Sequence, residues 1–364
     1  RTRISRVLDP YSKERFMALH SYLSGISQMF LIVTLLIVGT AGVREVLAAE
    51  VNVYSGRKEA LIRPVLDRFT EQTDIMVNLV SGKAGQLRER LLVEGRNSPA
   101  DVLITADVAN LHRAMVAGLF QSIDSEVLDR RIPAIYRDPG KHWFGLSLRA
   151  RIFVYARERV QVDELSTYED LTALKWRDRI TVRSSSNVYN QSLISSMIAI
   201  HGIDAAELWV RGLVKNFARS PKGGDTDQIR AVAAGEADIA IVNSYYYGRL
   251  VASSKRSDSD IVERTAIFFP NQGGRGTHVN VSGAGVTAYA KNRLEAISLL
   301  EFMASPEGQS LFADLNHEFP VSGDVSKSRI VSTWGSFIAD ELNLALLGEH
   351  NGDAIRVADR AGWR

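Results

Sequence analysis

The chain has 364 residues and a mass of 40.3 kDa, is 45% hydrophobic and 24% charged, has a mean hydropathy of −0.06 and contains no cysteine. That composition excludes disordered, collagen-like and multi-span membrane chains, and the missing cysteine excludes disulfide scaffolds, thiolate metal sites and thiol nucleophiles. At roughly 100–200 residues per domain the length predicts two domains, each with its own core. The formal charge of +2 is unevenly spread.

Met29–Val38 reads MFLIVTLLIV, preceded by Arg1, Arg3, Arg6, Lys13 and Arg15 and followed by Leu47-Ala48-Ala49. The run is shorter than the ~20 residues a membrane span needs and matches the apolar core of a secretory signal. Residues 1–49 are therefore expected to be a leader, removed after Ala49. They carry six Lys/Arg and three Asp/Glu of the chain's 44 and 42, so the remainder has 38 basic against 39 acidic residues and a net charge of −1. With no Lys/Arg run left, the footprint of a nucleic-acid binder is missing, and the expected location is the periplasm.

Strand and helix signals then alternate. Glu50–Ser55, Ile75–Val80 and Ala100–Ile104 read as strands, and Lys58–Gln72, Gly85–Glu94 and Val108–Ala117 as helices. This rhythm predicts a parallel sheet covered by helices. Phe144–Leu148 and Ile152–Ala156 read as two paired strands leaving the first unit. A second unit follows, with strands at Ile180–Val182, Asp238–Asn243 and Ala266–Phe269 and helices at Val188–His201, Ala205–Asn216 and Asp225–Ala234. Val279–Ala288 returns as a strand before helices Leu294–Met303 and Pro306–Leu315, with Ser305 as N-cap and Pro306 at the first helical position. The expected fold is α/β and bilobal, with two α/β lobes joined by crossover strands around a cleft. One lobe takes residues 50–148 and 275–322, and the other takes 149–274 with 323–364 as a tail packing on it. In open sheets of this kind ligands sit beyond the carboxyl ends of strands, at helix starts.

Two strand-to-helix junctions are unusual there. Asn243-Ser244-Tyr245-Tyr246-Tyr247-Gly248-Arg249 follows a strand directly, with Ser244 able to cap the next helix and Tyr245 and Tyr246 in its first turn. Neighbouring helical residues point ~100° apart, so two such phenols share one ion only at the helix end, and Tyr247 points elsewhere. Arg183-Ser184-Ser185-Ser186-Asn187-Val188-Tyr189 puts Tyr189 in a second first turn, beside hydroxyls and N–H groups suited to an anion. A phenol has a pKa of ~10 and ligates poorly when neutral, but a strongly Lewis-acidic ion binds it as phenolate. Three phenolates balance a trivalent cation such as Fe(III). Core aromatics or a stacking platform for a sugar are the alternatives that spacing leaves open.

Several stretches resemble the periplasmic ferric-ion-binding proteins of bacterial iron ABC transporters: VYSGR (Val53–Arg57), SPADVLITAD (Ser98–Asp107), WFGLSLRARI (Trp143–Ile152), RSSSNVYNQSL (Arg183–Leu193), NSYYYGR (Asn243–Arg249), FFPNQGGRGTHVNVSG (Phe268–Gly283) and LNHEFPV (Leu315–Val321). The resemblance implies a class II periplasmic-binding-protein fold with Fe(III) held by Tyr189, Tyr245 and Tyr246. It also implies Arg149 and Arg249 around the site, with Ser185 and Asn187 toward a synergistic anion of the carbonate type. Arginine beside phenolates fits on physical grounds, since it favours their ionised form and grips an oxyanion with two N–H groups.

The sequence departs from that pattern in the first lobe. Many relatives place His, or His-Tyr, in the turn after the first strand, where this chain has Lys58-Glu59. Where others have an acidic ligand after the ADV strand, Ala106 stands. The site therefore resembles the branch that uses three tyrosines plus an anion, with Glu59 as a possible additional ligand on lobe closure. His278 and His317 read as structural residues. Gly273-Gly274-Arg275-Gly276 lacks the Lys-Ser/Thr of a phosphate loop, and no G-x-S-x-G elbow is present. The expectation is a monomeric carrier, not an enzyme, delivering iron to an ABC permease in the inner membrane. The alternative is the same fold importing a small organic or anionic solute.

Overall fold

The structure, a computed structural model, describes residues 49–364, so the expected leader lies outside the described residues. The chain opens with β1 (Glu50–Ser55), α1 (Glu59–Thr73), β2 (Met76–Ser81), α2 (Ala84–Glu94), β3 (Val102–Ala106) and α3 (Val108–Val116). β2 and β3 flank β1 in parallel, as the alternation predicts. α1 forms because Ile62, Val65, Leu66 and Phe69 recur at helical spacing and bury one face, and it ends where Asp74 takes a left-handed conformation.

A short helix α4 (Glu126–Arg131) precedes β4 (Phe144–Ala156). The expectation of two paired strands over this stretch is corrected here. It is one continuous 13-residue strand, bulged between Gly145 and Ser147, and its two ends pair with different partners. Arg149 and Arg151, which lie between the two expected strands, are both buried, so the strand runs through them.

The second half contains β5 (Ile180–Thr181), α5 (Val188–His201), α6 (Ile203–Lys215), α7 (Asp225–Ala234), β6 (Ile239–Asn243), α8 (Ser244–Val251), α9 (Arg256–Arg264) and β7 (Thr265–Phe268). β8 (Val279–Val286) returns to the first half and leads to α10 (Arg293–Ala304) and α11 (Pro306–Asn316), the latter capped by Ser305 Oγ accepting from the Gly308 N–H. The strand order is β2-β1-β3-β8-β4-β6-β5, with β7 on β4. Up to Ala150, β4 pairs with β8; from Arg151 onward it pairs with β6. β4 thus changes partner from the first half to the second across one peptide bond.

Two apolar clusters form the core: one around β1, β3, β8 and α10 that runs on through one face of β6 to α7 and α8, the other around β5, the opposite face of β6, α5, α6 and Trp363. The final helices α12 (Arg329–Ser332), α13 (Ala345–Glu349) and α14 (Asn351–Ala361) reach both. α13 packs against α3 and α5, and α14 against α5 and α6, so the tail spans the halves instead of lying on one. A second tie is Asp107, held at φ 86°, which caps α3 and accepts from Ser192 Oγ of α5 at 2.8 Å. Among the described residues no helix is long and apolar enough to cross a membrane.

The β4–β8 crossing leaves no room for a side chain at Gly283. A Cβ there would lie 2.5 Å from the Phe144 carbonyl oxygen and 2.8 Å from Leu111 Cδ1. Gly283→Ala is therefore expected to cost about 1–3 kcal/mol through overpacking against backbone. Urea unfolding checks this, with far-UV circular dichroism expected to stay native-like in the absence of denaturant.

Candidate metal centre

Both tyrosine-bearing helices follow a strand, α5 after a six-residue turn and α8 directly. α8 follows β6 with no loop between them, and its N-cap is Asn243. The expectation that Ser244 caps this helix is not met, because Ser244 is already helical and its Oγ accepts from the Ala150 N–H at 3.3 Å, tying α8 to the crossover strand. α5 starts after Asn187, whose side chain accepts from the Tyr189 N–H at 3.1 Å. Gly248 lets α8 pack closely on the end of α11, since a Cβ there would stand 2.6 Å from His317 Cβ.

These starts bring the three expected phenols to one cavity of about 210 Å³. The Tyr245 hydroxyl donates to that of Tyr189 at 3.3 Å, and the Tyr245 and Tyr246 rings lie 4.4 Å apart, tilted by 34°. Tyr247 turns away and donates to the Thr265 carbonyl. Arg249, one turn on, lies 4.8 Å from the Tyr245 ring and 5.4 Å from that of Tyr246. Arg149 enters from β4, 2% exposed and 5.5 Å from the Tyr189 ring, donating to Ser282 Oγ and the Val281 carbonyl while its Nε has no partner.

The opposite wall comes from the first half: Gly56, Arg57, Lys58, Leu61 and Ala106, with Glu318 from the loop after α11. Leu148 and Phe319 exchange backbone hydrogen bonds, fixing that loop beside Arg149. Arg57 Nη2 donates to Glu318 Oε2 at 3.0 Å, and Ser147 Oγ donates to the same oxygen at 2.6 Å.

Other expected residues are placed elsewhere. Ser185 donates to the Trp363 carbonyl, and Asn187 is occupied as a helix cap, so neither lines the cavity. Glu59 is largely exposed and accepts from Arg63 Nη2 at 2.8 Å, one helical turn along, again off the cavity wall. His278 is buried behind the site, where burial and the nearby arginines push its pKa down to about 3 and keep it neutral. Arg57 and Glu318 were not singled out from sequence. Their signal was present as two charges inside the apolar stretches VYSGR and HEFPV. A larger recess of about 560 Å³ around Asp314, His317 and Arg329 contains no tyrosine. Chemistry, not volume, picks out the smaller cavity.

Electrostatically the site resists ionisation in the absence of a cation. Burial pushes the Tyr245 phenol well above its usual range, and the other two phenols add to that shift. Burial likewise raises Tyr189, against the pull of the Arg149 guanidinium. Burial weakens the charge on Arg149 itself, yet Tyr189, Tyr245 and Glu318 outweigh it and hold the guanidinium protonated. The cavity wall carries Arg57, Lys58, Arg149, Arg249 and Glu318, a net charge of +3 with neutral phenols and zero with three phenolates. Among the described residues no group of three or more His, Asp or Glu could hold a metal ion.

Comparison with known proteins follows this geometry. A family model described as bacterial extracellular solute-binding protein matches residues 97–333. Iron uptake protein A1 of Synechocystis is 45% identical over 86% of this chain and 88% of its own length. The structure of Trichodesmium FutA in complex with iron and citrate is 49% identical, with a TM-score of 0.85 over 87% of this chain and 100% of that one. A ferric binding protein from Campylobacter jejuni is 40% identical, with a TM-score of 0.81 over 86% and 100%.

The raised phenols give a pH test. Below about pH 10 Tyr189 and Tyr245 are protonated in folded and unfolded chains alike and contribute no pH dependence. Above it the unfolded chain loses those protons while the fold retains them, so stability falls as pH rises. The thermal midpoint of the ion-free protein should decline above pH 10, and Tyr245→Phe should flatten that decline.

Proposed function

Since the chain belongs to the bacterial extracellular solute-binding family, with ferric-ion-binding proteins among its relatives, we propose that its cleft captures Fe(III) outside the cytoplasm for delivery to a membrane transporter. The observation that carries this reading is the convergence of Tyr189, Tyr245 and Tyr246 on one small cavity with a buried guanidinium beside them. Tyr189 and Tyr245, which resist losing their protons, give them up readily when a trivalent cation replaces them, because each phenolate then faces +3 instead of like charges. Hard oxygen donors favour Fe(III) over softer or less charged ions.

Charge counting gives the anion a role. With three phenolates the wall is neutral, and bound Fe(III) returns the site to +3, which a small oxyanion of the carbonate or citrate type would reduce. Arg149, Arg249 and Arg57 are the donors for it; the citrate found with iron in the Trichodesmium protein supports this. The first half supplies cations and one carboxylate, not the histidine or tyrosine of other relatives. Glu59 would have to leave Arg63 to take part.

In operation, iron binds the phenols of the second half, and movement about the β4–β8 crossing brings up the wall of Arg57, Lys58 and Glu318 to exclude water. Residues 1–49 would serve as the export signal, and an ABC permease in the inner membrane would accept the iron from a monomeric carrier. The protein binds and releases its ion without transforming it.

Adding Fe(III) to the exported form with bicarbonate should produce a visible phenolate-to-iron charge-transfer band at one ion per chain. Tyr245→Phe should weaken binding by at least ~100-fold, given that even residues outside the ligand set cost ~10–100-fold in metal sites. No band and no binding with Fe(III), or tight binding of citrate or another organic anion without iron, would overturn the assignment.

A further inference from the structure

Tyr189 and Tyr245 are 56 residues apart on helices that follow different strands. The β5–β6 ladder cannot set their spacing, because it consists of two pairs and ends at Thr181 and Ala240, short of both tyrosines. Some other contact must hold the two helix starts in register.

We infer that the buried pair Arg151–Asp225 is a positioning device that locks the Tyr189 helix start against the Tyr245–Tyr246 helix start. Arg151 lies two residues beyond Arg149 on β4, and residues i and i+2 of a strand share a face, so both guanidiniums point to the side where α5 and α8 begin. Its two ends divide between the helices. Nη2 donates to Asn190 Oδ1 at 2.5 Å, on the residue next to Tyr189. Nη1 donates to Asn243 Oδ1 at 3.2 Å, on the N-cap of α8, and to Asp225 Oδ1 at 2.5 Å. Asp225 closes the loop, since Oδ1 also accepts the Asn243 backbone N–H at 3.0 Å and Oδ2 accepts Arg183 Nη1 at 2.6 Å. The Arg183 guanidinium in turn lies 5.7 Å from the Tyr189 ring, and Asn190 Nδ2 donates to the carbonyls of Arg183 and Ser184.

Every member of this set except Arg183 is almost fully buried: Arg151 at 2% exposure, Asp225 and Asn190 at 0% and Asn243 at 3%. A buried ion pair is a poor means of gaining stability, since well-packed apolar residues often do as well, whereas fixing a register is its best-attested use. The planar guanidinium suits that use because its two donor ends are rigidly spaced, which a lysine ammonium cannot reproduce. Neither Arg151 nor Asp225 lines the cavity, so each acts through Asn190 and Asn243 on the tyrosines.

The inference rests on the ferric-ion reading, and its test separates the two. Arg151→Lys keeps the charge and removes the fork; Asp225→Asn keeps an acceptor for the Asn243 amide and removes the charge. Each variant and the wild-type protein are compared for thermal midpoint, ferric affinity by chelator competition, charge-transfer band position and, without iron, the high-pH titration of tyrosine absorbance. A positioning role predicts folded variants with ferric affinity lowered about 10–100-fold, a shifted band and a buried phenol titrating closer to its usual range. A merely structural role predicts a lower midpoint with affinity, band and titration unchanged, and that result overturns the proposal. Should Arg151→Lys fail to fold, Asp225→Asn decides by the same readings. If wild-type protein gives no ferric band, the function assigned to the cleft fails, and the phenol titration of the iron-free proteins still decides whether the pair positions the tyrosines.

Discussion

Phenolates cannot be gathered in a buried space without compensating charge, and the rest of this molecule is arranged around that constraint. Tyr189 and Tyr245 lie in hydrogen-bond contact and hold their protons more tightly than in water, and the Tyr246 ring lies tilted beside that of Tyr245. Arg149 answers this from inside the sheet, almost without exposure. It cannot by itself neutralise three phenolates; Arg57, Lys58 and Arg249, offset by Glu318, complete the balance and bring the wall to zero.

The topology delivers those groups to one place. β4 pairs first with β8 and then with β6, and the change of partner falls between Ala150 and Arg151. Arg149 therefore belongs to the crossing and Arg151 to the second half, two residues apart on one face. Helices starting at the ends of β6 and after β5 point their first turns at the same region, as expected where strand order changes in open α/β sheets. The Asp107–Ser192 hydrogen bond and the α13 and α14 packing hold the halves near that crossing. The wall opposite the tyrosines comes from the β1–α1 turn and the loop after α11, which is pinned to Leu148.

Periodicity made most elements legible. α1, α10 and α11 bury faces that the apolar spacing marks, and Ser305 caps α11 as its position before Pro306 predicts. β4 was misread because charged residues normally end a buried strand, and only tertiary partners reveal that Arg149 and Arg151 are paired inside. α9 escaped notice because it is strongly polar, and the tail, expected to pack on one lobe, is divided into three helices. Ser185 and Asn187 had the right chemistry for an anion but nearer obligations. Trp363 and the first turn of α5 take their hydrogen-bonding groups, and no local pattern announces a contact made across 178 residues.

The sequence by itself determined the ingredients: two α/β units, two helix starts carrying three tyrosines, and arginines near them in the chain. Those follow from short-range rules, since periodicity, capping and strand-to-helix junctions are all settled within a few residues. Only the tertiary structure decided that Arg57 and Glu318 face the tyrosines, that Glu59 faces away, and that Arg151 and Asp225 bind the two helix starts together. Apart from the Glu59–Arg63 pair, one helical turn apart, those contacts join residues tens to hundreds of positions apart. They depend on the register of β4 against β6 and β8, which no local segment encodes.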